Sequence, residues 1–120
     1  MTAALAFGLV LAMAVPLGAA ELKDAHQGTY CPRGTVGTWH FVNPQTGGET
    51  EAATLFVMVD GGSGYINAGT ADKVNRNNQH WTVTGGRTLD NARTLLSDGS
   101  ELPGKLVLSD YWCRRVKKGS

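Results

Sequence analysis

The first 20 residues contain no charged side chain, and nothing later in the chain matches their apolar run. Sixteen of those 20 are apolar, whereas all 21 charged residues (11 Lys and Arg, 10 Asp and Glu) follow them. This division excludes one evenly mixed domain. It predicts a signal peptide over 1–20, with an apolar core, the helix breaker Pro16 and the small residues Gly18-Ala19-Ala20 before cleavage. No Lys or Arg precedes Lys23, so the signal is atypical or its true start lies upstream. Pro16 and the lack of basic anchors argue against a permanent membrane helix. No cysteine closely follows the run, which argues against a lipid anchor. The expectation is an exported protein, periplasmic or extracellular.

Cysteine is scarce too. The chain has two, Cys31 and Cys113, and no CxxC pair, and neither has a histidine within a few residues, so a zinc knuckle is not expected. In an exported chain two thiols read as a disulfide, here between residues 82 apart that would staple the first strand region to the last. The mature part, 100 residues with 34 apolar, 14 Gly, 11 Thr and 3 Pro, is too short for a second domain or a dinucleotide-binding scaffold. It has no internal repeat. It divides into a flexible segment 21–28, a single β domain 29–113 and a basic tail 114–120.

What is present is a series of short apolar stretches separated by Gly, Asn and Asp clusters, the pattern of an antiparallel all-β domain. Residues 35–42 alternate, with Gly37, Trp39 and Phe41 on one face and Thr38 and His40 on the other. Residues 52–59 are nearly all apolar and predict a central strand covered on both faces. Weaker strands follow at Tyr65-Ile66 and 72–75, and Gln79 to Thr84 alternates again before Gly85-Gly86, which predicts a tight hairpin. Segment 87–97 fits either a helical face or an irregular strand, and the strand is preferred. Residues 105–113 close the domain, with Leu106, Leu108, Asp110 and Trp112 on one face and Val107, Ser109, Tyr111 and Cys113 on the other. These seven or eight strands predict a small antiparallel β-sandwich, with a small closed barrel as the alternative.

Catalytic and ligand motifs are also lacking. Gly99 to Lys105 has the GxxxxGK spacing of a phosphate loop, but Leu106 stands where Ser or Thr is required and a strand follows instead of a helix. Gly61-Gly62-Ser63-Gly64 lacks the Asp of a calcium-binding repeat and reads as a turn. No catalytic residue, cofactor or metal is therefore assigned. His40 and His80, each beside a Trp on a strand, remain the pair to test for a metal, with Asp60 or Asp110 as a third ligand. His26, in the segment expected to be flexible, carries no signal.

The large rings are more informative. Most of Trp39, Phe41, Tyr65, Trp81, Tyr111 and Trp112 must build the core, yet Tyr111 and Trp112 point to opposite faces, so at least one ring is expected at the surface. Trp39, Tyr65, Trp81 and Trp112 are the candidate ligand surface. The functional expectation is a non-enzymatic binding module for a protein partner, with carbohydrate binding as the alternative. Residues 21–113 carry 10 acidic and 7 basic groups, so nucleic-acid binding is not expected, and Arg114, Arg115, Lys117 and Lys118 read as a solvated terminus.

Overall fold

A computed structural model describes residues 21–116; the expected signal peptide and residues 117–120 of the basic tail lie outside them. Among the described residues eight strands are formed: β1 (Thr29–Tyr30), β2 (Thr35–Asn43), β3 (Thr54–Val59), β4 (Ile66–Thr70), β5 (Lys73–Val74), β6 (Gln79–Thr84), β7 (Thr88–Leu95) and β8 (Val107–Arg115). They make two four-stranded antiparallel sheets, ordered β1-β7-β3-β4 and β5-β6-β2-β8. The expected sandwich is the observed architecture. Within segment 87–97 the strand β7 runs over Thr88–Leu95, with a register shift opposite Met58 and Val59.

Alternation along each central strand supplies the core. On β2, Trp39, Phe41 and Asn43 are buried, while His40 and Val42 between them are half-exposed. From the other sheet Leu55, Val57, Leu89 and Ala92 join them, and Leu102, Leu106 and Leu108 belong to the same buried cluster. The apolar area removed from water this way, at roughly 25 cal/mol per Å², is the main favourable contribution to folding. The cover expected on both faces of β3 is partial, since Phe56 and Met58 on its outer side are half-buried.

Three local expectations are corrected. Gly85-Gly86 does not close a hairpin, because β6 and β7 belong to different sheets. The two glycines instead carry the chain across the sandwich in positive-φ conformations, exchanging backbone hydrogen bonds with Gly37 (Gly37 N–H to Gly86 O, 2.8 Å; Gly85 N–H to Gly37 O, 2.9 Å). A Cβ on Gly86 would lie 2.8 Å from Cβ of Val59, so space as well as φ calls for glycine there.

Segment 21–28 is tied to both sheets. Leu22 is fully buried, its N–H donates to Ala92 O at 2.8 Å, and the N–H of Lys23 donates to Leu106 O at 2.9 Å. A short 3-10 turn, Asp24–His26, follows, and His26 Nδ1 accepts the N–H of Leu108 at 3.1 Å. His26 therefore has a structural task, satisfying a backbone donor of the edge strand β8.

The two-face assignment for 105–113 fails at a bulge. Phe41 pairs with Leu108, but the next residue back, His40, pairs with Asp110, so Ser109 is left over. One extra residue reverses the alternation. Leu106 and Leu108 consequently face the core, whereas Asp110 and Trp112 face outward.

Gly37 has a specific packing reason. A Cβ there would sit 2.5 Å from Cε2 and 2.8 Å from Cη2 of Trp39, whose indole folds back over the glycine and donates to Gly85 O at 2.7 Å. Gly37→Ala is expected to destabilise the domain by about 3 kcal/mol, because the indole must leave its site and lose that bond. Urea denaturation checks this, and a cost below about 1 kcal/mol would show that the ring relocates freely.

Candidate functional site

β2 and β6 pair with His40 opposite Thr82 and Val42 opposite His80, which places both imidazoles on the outer face of the second sheet. They converge. His40 Nε2 lies 3.3 Å from His80 Nδ1, and the ring centroids are 5.4 Å apart with planes tilted by 44°. The remaining nitrogens are engaged as well: His40 Nδ1 is 2.9 Å from Thr82 Oγ1 and His80 Nε2 is 3.0 Å from Asn78 Oδ1.

These contacts define the protonation pattern. The amide of Asn75 donates to Asn78 Oδ1 at 2.8 Å, which fixes that oxygen as the acceptor facing His80. His80 therefore carries its proton on Nε2 and presents a bare Nδ1. His40 donates to it from Nε2, and the hydroxyl of Thr82 donates to His40 Nδ1. Desolvation, with Coulombic contributions from His40 and Lys73, holds the imidazole of His80 below its ordinary value.

The carboxylates named with the pair do not join it as ligands. Asp110 is opposite His40 on β8, but its Oδ1 accepts the N–H of Tyr111 at 2.8 Å. Asp60 belongs to the other sheet's hairpin, where its Oδ1 accepts the N–H groups of Arg87 and Thr88, both at 2.8 Å. Those two donors hold its carboxyl below the usual range and brace the end of β3 against the start of β7. Among the described residues no group of three or more His, Cys, Asp and Glu gathers to hold a metal.

The four candidate rings separate by burial. Trp39 and Trp81 are each 1 % exposed, and their indole N–H groups are consumed inside the fold, by Gly85 O and by Ala53 O at 3.0 Å. Neither can offer a stacking face to a ligand. Tyr65 is half-buried, with the guanidinium of Arg93 over its ring at 4.4 Å, so that face is taken by a cation–π contact. Trp112 alone of the four is open, at 47 % exposure.

Two further rings are exposed where the sheets' edges meet. The Cys31–Cys113 disulfide joins the chain just after β1 to β8, edge strands of different sheets. Tyr30 and Tyr111 flank it, 65 % and 41 % exposed, and with Pro32, Gln27 and Thr29 they line a shallow depression. Tyr111 is held flat against Trp39, ring centroids 5.6 Å apart and planes within 19°. The position of Tyr30 beside Cys31, and of Tyr111 two residues before Cys113, is the sequence signal for this edge.

No family model, curated protein or solved structure matches this chain. Its chemistry must therefore be read from the side chains alone. The GxxxxGK segment is a loop in which Gly104 adopts φ +82° under Gln45, and strand β8 follows it. No helix among the described residues is long and apolar enough to cross a membrane.

Proposed function

We propose that this protein is an exported, non-enzymatic β-sandwich that binds a partner protein through the edge joined by its disulfide. Tyr30, Tyr111 and Trp112 carry this reading: three large rings left open on or beside strand β8 in a domain that buries its other two tryptophans. Large, stiff rings lose little conformational entropy on binding and are enriched where proteins dock. Export is supported by the charge-free apolar residues 1–20 and by a disulfide compatible with an oxidising compartment.

A glycan is the second reading. It is favoured by the depression itself, where Tyr30 and Tyr111 stand beside the polar side chains of Gln27 and Thr29. One set of variants addresses both. The immobilised wild type is expected to retain a single protein from periplasmic extract or culture medium, and Tyr30→Ala or Trp112→Ala to weaken that retention about 30-fold, as for a central interface ring. Retention by a glycan array, lost in the same variants, would transfer the surface to sugars. Equal retention by wild type and variants would remove the surface altogether.

A further inference from the structure

We propose that His40 and His80 form a two-imidazole binding site for a divalent transition-metal ion such as zinc, on the outer face of the second sheet, the face that also carries Trp112. The spacing comes first. Two nitrogens bound to one tetrahedral ion, each about 2.0–2.1 Å from it, lie roughly 3.3–3.4 Å apart. His40 Nε2 and His80 Nδ1 are 3.3 Å apart already.

The outer partners come second. A metal-bound imidazole donates its other N–H to an acceptor that fixes the tautomer and ring plane. His80 meets this requirement as it stands, through Nε2 and Asn78 Oδ1. His40 meets it after one internal change: its proton moves from Nε2 to Nδ1, and the Thr82 hydroxyl turns from donor to acceptor at the same 2.9 Å. The two nitrogens that face each other across 3.3 Å then both carry lone pairs, and both outer N–H groups keep their acceptors. The hydrogen bond between the rings is the only one the ion replaces.

Backbone pairing holds the site open and rigid. Both ligands lie on paired strands, with Thr82 anchored by its N–H to Asp72 Oδ2 at 2.8 Å. His40 and His80 are both partly exposed, so the ion's remaining positions face solvent. With two imidazoles and no thiolate, the donor set suits zinc, nickel or copper and not calcium or magnesium.

Zinc chloride titrated into the full chain, purified without a polyhistidine tag, tests this by calorimetry and by imidazole NMR signals. One equivalent is expected to bind, with shifts confined to His40 and His80 and none at His26. His40→Asn and His80→Asn should each weaken binding about 100-fold, the double variant should abolish it, and Asn78→Ala should weaken it about tenfold through the outer partner. Zinc should raise the melting midpoint of the wild type and leave that of the two histidine variants unchanged. The variants' midpoints in chelator report that they fold. Absence of a one-equivalent site in the wild type, or binding that survives both histidine substitutions, would overturn the assignment.

Discussion

Replacing Cys31 and Cys113 together by alanine is expected to lower the unfolding free energy by about 4–5 kcal/mol. The bridge closes a loop of 82 residues, and the chain-entropy relation assigns about 4.5 kcal/mol to a loop of that length. A small domain has roughly 5–15 kcal/mol in total, so the variant would stand near the limit of folding. The effect acts chiefly on the unfolded chain. In the folded protein the same edge is also held by backbone and side-chain hydrogen bonds: Cys31 N–H to Arg87 O at 2.7 Å, Arg87 Nε to Cys31 O at 3.3 Å, and Val116 N–H to Gly34 O at 2.9 Å. Guanidinium denaturation of oxidised and reduced protein measures the difference directly. Midpoints that agree to within about 1 kcal/mol would show that these bonds, and not the cross-link, define the edge.

The second large effect is expected at Trp81, which with Gln79 fastens one sheet to the other. Both side chains point inward from β6 and grip the chain that enters β3. Gln79 accepts the N–H of Ala53 at 2.9 Å and donates to Glu51 O at 2.8 Å, while Trp81 donates to Ala53 O and packs in the core across from Phe41. Trp81→Ala should cost about 4 kcal/mol, the usual loss for a buried indole. Trp81→Phe should cost only about 1–2 kcal/mol, since Ala53 O keeps the N–H of Ala71 at 3.0 Å after the indole donor is gone. Gln79→Leu should fall between, about 3 kcal/mol, because it strands the Ala53 N–H and the Glu51 carbonyl. Denaturation midpoints of the three variants give the order, and a phenylalanine variant as unstable as the alanine one would refute it.

The strands were legible in the sequence wherever alternation ran without interruption. Residues 35–42 show this best: Gly37, Trp39 and Phe41 do share the inward face, because a strand's pleat admits no other arrangement once one ring is buried. Strand β8 shows the limit. The extra residue at Ser109 is invisible in composition, yet it puts Trp112 on the opposite face from Leu108, where uninterrupted alternation would give both the same face. Bulges arise from the partner strand's register, which no local pattern records.

For the candidate site the division is similar. The sequence supplied the residues: a histidine on each of two alternating strands, and a tyrosine close to each cysteine. It could not supply their pairing, since β2 and β6 meet across the 35 residues of intervening chain 44–78 and the registers that align Val42 with His80 follow from packing the whole sheet. Nor could it reveal Asn78 and Thr82 as partners of the imidazoles, because each is an ordinary turn or strand residue until the rings are placed.

By itself, then, the sequence determined the fold class and the disulfide, both of which depend on composition and on alternation within single segments. The tertiary structure alone decided how the strands divide between two sheets, which tryptophans are enclosed, and that two imidazoles 40 residues apart face each other at 3.3 Å. Each of those depends on long-range register, which is fixed only when both sheets bury their apolar faces against one another.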